Sequence, residues 1–453
     1  MKLNRSNHGS STPEVRIVHL GLGAFFRAHQ AWYTAHAKDG GEWGIAAFTG
    51  RRPEASMVLE EQDGLYTLIT RGANGEAFEV IDNLVETHPG SDLAALVRLL
   101  SSEQVALVTL TITEAGYGID ADGLVNGIEH LILKLRAGEP ETALGRLAHA
   151  LNERRKTIGV GLALVPCDNV PANGALLRGA MEQLFSAFGV EALHWLRNQV
   201  TFVSTSIDRI TPKTTDEDIA AVAKMCGYGD MSPVVTEPFR DWVLQGDFPL
   251  GRPNWESAGA KFVTEIEPFE NRKLWFLNGA HSLLAYLGQL RGHSTVASAI
   301  ADESCRLAVT EFWEEAERTL NNPELRIGDY RQALLERFEN PRIAHQLAQI
   351  AIDGSTKLRL RVVPTALAEL ERGNEASGAS LPMAAWIAFL LENPNFQDSN
   401  RSTLESILAG TDQGTVVREL LAQLNPYLAS NQDFLTQVRT QVSQLRNNTK
   451  VEK

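Results

Sequence analysis

Short apolar segments alternate with amphipathic segments through the first half of the chain. The apolar or β-branched segments are residues 15–20, 43–48, 105–111, 160–165 and 199–207. Between them, apolar side chains recur at helical spacing in residues 93–100 and 143–153. Strands that alternate with helices are typical of a parallel sheet with helices on both faces. The pattern predicts an α/β fold with a doubly wound sheet.

The second half of the chain has a different pattern, because strand signals almost vanish there. Helical periodicity is found in residues 271–290, 305–320, 329–338, 380–392 and 416–424. We therefore predict two domains, which suits a chain of 453 residues. They are an α/β domain over residues 1–262 and a mainly α-helical domain over residues 263–453.

A glycine turn follows the first predicted strand. Gly21 and Gly23 would let the backbone approach a pyrophosphate at the start of the next helix. Phe26 stands where the third glycine of a dinucleotide fingerprint would be. A tight turn in any α/β protein would show the same glycine pair. The turn is therefore a candidate cofactor site.

Basic residues follow the second predicted strand. A carboxylate at this place binds the ribose hydroxyls of NAD, whereas an arginine can accommodate the extra phosphate of NADP. The chain has Arg51 and Arg52 here, with Glu54 two residues later. This indicates that NADP is possible beside NAD, although two solvated loop arginines would look the same.

Polar motifs follow three later strand segments. They are residues 111–117, 166–169 and 207–212. Ligands of open α/β sheets bind beyond the carboxyl ends of the strands, so these motifs are expected to line one crevice. Turn closure and helix capping are the alternative explanation, above all for Asp168, Asn173 and Gly174.

Residues 273–288 form a mainly apolar helical pattern in which Lys273, Asn278 and His281 stand out. A helix that is apolar on nearly every face is buried. At about 100° per residue, Lys273, Asn278 and His281 fall within an arc of about 140°. Burial lowers the pKa of a lysine toward the range of a general base. A lysine that reaches solvent, a core histidine and a helix-interior asparagine are the alternative, but three such residues on one arc favour a site.

Composition narrows the function classes. The formal net charge of −14 argues against a nucleic-acid or anionic-membrane partner. The three cysteines have no C-x-x-C spacing, and no apolar stretch approaches the length that spans a bilayer. The first residues carry no apolar secretion signal. We expect a cytoplasmic protein without a nucleic-acid or membrane partner.

Eight stretches in order, from about Val15 to at least Pro364, resemble the polyol-specific long-chain dehydrogenases, the mannitol dehydrogenase family. The stretches are HLGLGAFFRAHQA, QDGLYTL, TITEAGY, CDNVPANG, SIDRITP, TEPFRDWV, PLGRPNWE and KLWFLNGAHSLLAYLG. The resemblance implies a Rossmann-type first domain, a helical second domain and hydride transfer with NAD, or NADP, in the cleft between them, without a metal. Since relatives are often monomeric, it also implies a monomer or a weak homo-oligomer.

The resemblance also implies roles for individual residues. Lys273 would be the general acid–base, with Asn278, His281 and Asn169 as catalytic partners. The two asparagine amides could donate to the oxygen that becomes alkoxide-like. Glu270 could relay protons to Lys273, or could simply be an acid favoured by the helix dipole. The expected cofactor contacts are Gly21, Gly23, Ala24, Phe25, Arg51, Thr113 and Asn169.

The identity of the substrate depends on a second basic motif. Residues 353–361, DGSTKLRLR, are similar to the D-G-S-x-K-x-x-x-R arrangement of fructuronate reductases. Lys357 and Arg361 could bind a substrate carboxylate, and Asp208 and Arg209 are further substrate-binding candidates. A basic corner on an acidic protein is the alternative. We favour fructuronate and D-mannonate, with mannitol and fructose as the alternative pair. A catalytically inactive sugar or nucleotide sensor would be expected to have lost residues of the Lys–Asn–His set.

Overall fold

The computed structural model describes residues 1–120, 123–343 and 345–451. The chain divides into a first unit, Met1–Glu267, and a second unit, Pro268–Lys453. The division lies beyond the predicted boundary at 262/263. The reason is that the Val263 amide still donates to Leu244 O and the Ile266 amide to the Gln245 side chain, which are both in the first unit.

The first unit is built on a parallel six-stranded sheet. The strands of the whole first unit, in chain order, are β1 Val15–Leu20, β2 Gly44–Phe48, β3 Tyr66–Gly72, β4 Gly75–Ile81, β5 Leu84–His88, β6 Leu107–Leu110, β7 Ala163–Pro166, β8 Thr201–Phe202, β9 Ser204–Asp208, β10 Val234–Thr236, β11 Asp241–Gln245 and β12 Lys261–Phe262. The main sheet has the order β5-β2-β1-β6-β7-β8, and two three-stranded sheets have the orders β10-β3-β4 and β12-β11-β9. The predicted doubly wound sheet is confirmed.

Helices cover both faces of the main sheet. Those of the first unit are α1 Arg5–His8, α2 Ala24–Ala28, α3 Gln30–Ala35, α4 Glu54–Glu60, α5 Leu93–Leu100, α6 Glu114–Tyr117, α7 Ile128–Ala137, α8 Ala143–Thr157, α9 Asn173–Phe185, α10 Val190–Gln199 and α11 Asp216–Cys226. Ile17 and Val18 are neighbours on β1 and point to opposite faces, yet both are buried, each in a different core cluster. Burial on both faces explains why this strand is a continuous apolar run.

The prediction of one strand over residues 199–207 is wrong, because two strands form there. β8 extends the main sheet, whereas β9 pairs antiparallel with β11. The Asn173 side chain accepts the Thr205 amide at 2.9 Å and donates to Thr205 O at 2.8 Å. A side chain therefore satisfies the backbone of Thr205, and the chain leaves the main sheet.

The second unit is mainly helical, which confirms the predicted change in fold class. Its helices are α12 Glu267–Arg272, a π-helix at Lys273–Gly279, α13 Ala280–Leu290, α14 Val296–Ala301, α15 Glu303–Thr319, α16 Ile327–Phe338, α17 Leu347–Ile350, α18 Gly354–Arg361, α19 Val363–Glu371, α20 Ser377–Glu392, α21 Arg401–Leu408, α22 Gln413–Leu424, α23 Pro426–Ser430 and α24 Gln432–Val451. Helix α13 packs against α20, which also contacts α15 and α24. Among the described helices, none combines the length and apolar character that crossing a membrane requires.

Candidate active site

The glycine turn after β1 is required by the sheet itself. Gly21 has φ of 111°, and a Cβ there would lie 2.0 Å from Thr111 O. The amides of Gly21 and Leu22 both donate to Phe48 O at 2.8 Å, which ties the turn to the end of β2. Another residue type at position 21 would be strained and would collide with backbone.

Gly23 has a different reason to be glycine. A Cβ there would meet only Gly21 O, at an ordinary 3.6 Å, so the fold does not demand glycine. Gly23 lines two adjoining cavities of about 670 Å³ and 680 Å³ in the first unit. The space that a side chain would fill is therefore open to a ligand, as in turns where backbone approaches a pyrophosphate.

The two cavities form one groove along the carboxyl ends of the strands. Both are lined by Gly21, Gly23 and Thr113. The first extends to Phe48 and Arg51 at the end of β2. The second contains the remaining predicted cofactor contacts, Ala24, Phe25 and Asn169. A two-part groove at this edge has the form that a dinucleotide needs.

Phe26 explains the missing third glycine. Its ring stacks on His19 with the centroids 3.5 Å apart and the planes 9° apart. The His19 nitrogens lie 2.8 Å from Thr109 Oγ1 and 3.0 Å from Thr111 Oγ1. Burial lowers the pKa of His19 to about 3, so the ring is neutral at physiological pH. An aromatic stack joins helix to strand here, where the common fingerprint uses close glycine packing.

Asp168 holds the strained turn at Thr113. Thr113 has φ of 66°, an uncommon backbone for a β-branched residue. The Asp168 carboxylate accepts the amides of Thr113 and Ile112 at 2.7 and 3.2 Å, and the Tyr117 hydroxyl at 2.9 Å. Burial raises the pKa of Asp168, although these hydrogen bonds oppose the rise. The alternative explanation by turn closure describes Asp168 well.

The neighbours of Asp168 have separate tasks. The buried Asn173 links the ends of β7 and β9, and a Cβ on Gly174 would lie 2.5 Å from Ser204 Oγ. Both residues therefore serve the packing of the chain. Asn169 is exposed and lines the second cavity. Asp168 lines the same cavity, but its carboxylate already accepts the amides of Thr113 and Ile112, so Asn169 is the better placed of the two to contact a ligand.

Arg209 is engaged by the protein's own backbone. Its guanidinium donates to Ala28 O and, at 3.2 and 3.3 Å, to Glu237 O. It also lies 5.1 Å from the Trp32 ring centroid, and burial lowers its pKa to about 10. Asp208 is buried at the end of β9, opposite Asp241 of β11. Through these contacts Arg209 links neighbouring segments, so we do not propose it as a substrate ligand.

Two arginines line the far end of the first cavity. Arg51 is exposed, and its side chain has no hydrogen bond or ion pair with any residue that the structure describes. Arg146, on α8, donates to Glu141 O at 2.8 Å and pairs with no carboxylate of the described chain. Sequence reasoning missed Arg146, because only the fold brings α8 to the end of β2.

The second unit contains the Lys–Asn–His set on one continuous helical segment. Lys273 and Asn278 lie in the π-helix, and His281 lies in the first turn of α13. The hydrogen bonds of a π-helix join residues five apart, so Asn278 follows Lys273 by one turn. The prediction assumed regular α-helical spacing and is corrected here. π-Turns occur frequently at functional sites.

The burial of the three residues is uneven. Lys273 and Asn278 are half-buried, so the expected full burial of Lys273 is not observed. His281 is 8% exposed. Glu270, on α12, is half-buried and lies three residues before Lys273. The Asn278 side-chain amide has no hydrogen-bond partner within the described parts of the chain.

His281 is a neutral ring in an electropositive surrounding. Burial, together with His345, Arg337 and Arg361, lowers the pKa of His281 well below its ordinary value. Its ring centroid lies 5.0 Å from both Phe338 and His345. Neither ring nitrogen bonds to a residue in the described ranges, so both remain available to a ligand.

Helix α18 brings two cations close to this segment. Arg361 donates to Ser282 Oγ at 3.1 Å and weakly to Asn278 O at 3.4 Å. Lys357 donates to Ile350 O at 3.0 Å. Burial lowers the pKa of both, for Arg361 to about 10, and Arg361 further lowers the pKa of Lys357. Within the described residues, no carboxylate forms an ion pair with either cation.

The comparison with family descriptions decides the classification. Residues 15–257 match the mannitol dehydrogenase Rossmann domain, and residues 265–446 match the mannitol dehydrogenase C-terminal domain. The chain belongs to the mannitol dehydrogenase family. It is therefore an oxidoreductase of that family, and the resemblance inferred from eight motifs is confirmed.

Relatives within the mannitol dehydrogenase family differ in the substrate that their names give. The D-mannonate oxidoreductase of Escherichia coli (strain K12) is 35% identical over 397 residues, which cover 85% of this chain and 82% of that protein. A mannitol 2-dehydrogenase of Cereibacter sphaeroides is 33% identical over 383 residues, covering 82% and 80%. The structure of Pseudomonas fluorescens mannitol 2-dehydrogenase in a ternary complex with NAD and D-mannitol is similar with a TM-score of 0.79, at 30% identity and 99% and 98% coverage.

Proposed function

We propose that this protein is an NAD-dependent oxidoreductase, with NADP also possible, that interconverts a keto sugar acid and its aldonate. Fructuronate and D-mannonate are the proposed pair. The relative named D-mannonate oxidoreductase is 35% identical, which supports this choice without separating it from the mannitol 2-dehydrogenases at 33% and 30%. The choice between a sugar acid and a neutral polyol depends on the cationic residues of the second unit.

The observation that carries the proposal is Arg361. The Arg361 side chain is half-buried, burial lowers its pKa to about 10, and its described partners are one hydroxyl and one carbonyl oxygen. A desolvated arginine without a carboxylate is costly, and a bound carboxylate would offset that cost with charge-assisted hydrogen bonds. Lys357 adds a second cation one turn earlier on α18. A neutral polyol would give neither cation an anion.

The cofactor is assigned to the groove of the first unit. Gly21 and Gly23 leave the backbone accessible, and the open space at Gly23 supports the fit. Arg51 and Arg146 at the end of β2 would favour the 2′-phosphate of NADP, whereas nothing in their contacts prevents NAD from binding. When bound, the nicotinamide supplies or accepts the hydride.

Lys273 is the proposed general acid–base. In the reductive direction its ammonium donates the proton to the oxygen of the ketone as hydride reaches the carbon. The Asn278 amide, which has no partner in the described chain, donates to the same oxygen and stabilises its developing negative charge. His281 orients a substrate hydroxyl.

Three further residues have supporting roles in the proposal. Asn169 is proposed as a further amide donor, Asp208 as a substrate contact, and Glu270 as a proton relay to Lys273. No metal is needed when a lysine supplies the proton.

A neutral polyol or ketose is the second candidate. The two mannitol 2-dehydrogenase relatives cover 82% and 99% of this chain, and their identities of 33% and 30% are close to the 35% of the D-mannonate oxidoreductase. Under this alternative, Arg361 and Lys357 would hold hydroxyl groups, with weaker hydrogen bonds than a carboxylate would receive.

A substrate panel tests the proposal. Purified enzyme is assayed with fructuronate and fructose plus NADH or NADPH, and with D-mannonate and mannitol plus NAD or NADP, by following the absorbance of reduced nicotinamide. We expect the highest kcat/KM with the fructuronate and D-mannonate pair. Turnover of mannitol without turnover of D-mannonate would overturn the assignment in favour of the second candidate.

A further inference from the structure

His345 stands beside the Lys–Asn–His set, although no motif pointed to it. Its ring meets His281 edge to face, with the centroids 5.0 Å apart and the planes at 83°. Its backbone is anchored, because the Val296 amide donates to His345 O at 3.0 Å and Thr295 bridges to Gln346. The imidazole is therefore presented to the site on a fixed segment.

The two nitrogens of this ring have different surroundings. Nδ1 is buried and has no hydrogen-bond partner. Nε2 is not among the buried unpartnered atoms, and no described residue bonds to it. A buried N–H without an acceptor is rarer and costlier than an unfilled acceptor. The neutral ring therefore carries its proton on Nε2, which is the nitrogen that a ligand can reach.

The neighbours of His345 are cationic and keep the ring neutral. Burial, with Arg337 and Lys357 nearby, lowers the pKa of His345. Lys357 is in turn close enough to Arg361 for the two cations to repel each other. Arg337 and Lys357 therefore lie near the ring of His345, although Asp353 and Asp398 partly offset the charge of Lys357, and this positive balance suits an anion.

We propose that His345 is a specificity-determining residue that donates a hydrogen bond from Nε2 to the carboxylate of the sugar acid, alongside Arg361. The inference rests on the proposed function, since it needs a substrate with a carboxylate. It adds to that function a neutral donor that distinguishes a carboxylate from the hydroxymethyl end of a neutral ketose.

Three variants test the proposal. His345→Leu removes both nitrogens, His345→Gln places an amide donor near the Nε2 position, and His345→Asn reaches only the Nδ1 position. A hydrogen bond to a charged group corresponds to about a 10- to 100-fold effect. We expect His345→Leu and His345→Asn to raise KM for fructuronate by that factor, with kcat and the KM for fructose little changed. His345→Gln should recover most of the loss.

Binding and stability measurements accompany the kinetics. Calorimetric titration of D-mannonate into the enzyme saturated with cofactor should show the same order of affinities. Wild type and His345→Gln should bind more tightly than His345→Asn and His345→Leu. The matched control is His194→Leu on α10, an exposed histidine of the first unit, which should leave both substrates unaffected. If the Leu variant proves unstable by thermal melting, the comparison of Gln with Asn gives the same answer.

Each contrary outcome has its own meaning. Unchanged KM for fructuronate in the Leu and Asn variants would overturn the role of His345 while leaving the proposed function intact. An equal loss of kcat for fructuronate and fructose would show that His345 only positions His281, and would also overturn the inference. A wild-type enzyme that reduces fructose and not fructuronate would contradict the proposed function itself, and the inference with it.

Discussion

The polar residues of the two units differ in what satisfies them. In the first unit, Asp168, Asn173 and Arg209 form most of their hydrogen bonds with backbone groups of neighbouring segments. In the second unit, Asn278 and His281 keep polar side-chain atoms without partners in the described chain. The first group shapes a groove made largely of backbone, whereas the second group offers side chains to a ligand.

This difference teaches how to separate structural from chemical residues of the same type. Removal of a satisfied polar group leaves its buried partners without hydrogen bonds and lowers stability. Removal of an unsatisfied one should spare the fold and affect only ligand binding or turnover. Pairs of residues of one type, taken from the two units, therefore test the comparison.

The largest expected effect is on turnover, at Lys273. We expect Lys273→Ala to lower kcat by about 10²- to 10⁴-fold, the usual contribution of a general acid–base. The affinity for the cofactor, measured by fluorescence titration, should stay unchanged. Lys261→Ala is the control, because that lysine is exposed and, among the described residues, forms its ion pair with Asp241. Retention of most of kcat by the Lys273 variant would require another base.

The next largest effects should distinguish the half-buried Arg361 from the buried Arg209. Arg361→Ala is expected to raise KM for fructuronate by about 10- to 100-fold, through lost charge-assisted hydrogen bonds, with little change in melting temperature. Arg209→Ala should instead lower the free energy of unfolding by about 2 kcal/mol or more, since Ala28 O and Glu237 O lose their donor. Urea unfolding and kinetics with both substrates check this. Similar stability losses in both variants would contradict the comparison.

The glycine pair separates fold from ligand within one turn. Gly21→Ala should destabilise the first unit, because its Cβ would lie 2.0 Å from Thr111 O. Gly23→Ala should leave the melting temperature unchanged and weaken cofactor binding about tenfold, about 1.4 kcal/mol. Thermal melting and titration with NAD and NADP measure the two effects. A stable Gly23 variant with wild-type affinity would show that no ligand approaches this glycine.

The last expected effect is a pH dependence of stability at His19, which concerns the fold of the first unit and no ligand. Its folded-state pKa of about 3 lies below the ordinary 6.5, so folding favours the neutral ring. This contribution to stability is complete above pH 6.5 and is lost as the pH falls from 6.5 toward 3. In that window the unfolding free energy of wild type should fall more steeply than that of His19→Gln, by about 1.4 kcal/mol per pH unit. Urea unfolding at several pH values checks this, and equal slopes would contradict it.

Much of the fold could be read from hydrophobic periodicity. The run at residues 15–20 is apolar because both faces of β1 are buried, and the loss of strand signals marked the helical half. The apolar run at residues 199–207 led to a wrong prediction of one strand. A sequence pattern cannot show that the Asn173 side chain forms hydrogen bonds with the backbone of Thr205, where the chain leaves the main sheet. The sequence motif predicts Lys273, Asn278 and His281 as site residues, whereas Arg146 and His345 carry no local signal and became candidates only through the fold.

The amino-acid sequence by itself determined the α/β and helical halves, the glycine turn and the family, because periodicity and ordered motifs are local properties of the chain. The tertiary structure alone decided which polar residues have partners. Arg209 and Arg361 are the same residue type, yet Arg209 donates three hydrogen bonds to backbone carbonyls, whereas Arg361 donates one to a hydroxyl and one weak bond to a carbonyl. That distinction depends on segments far apart in the chain, since hydrogen bonding and desolvation are set by the neighbours that folding brings close.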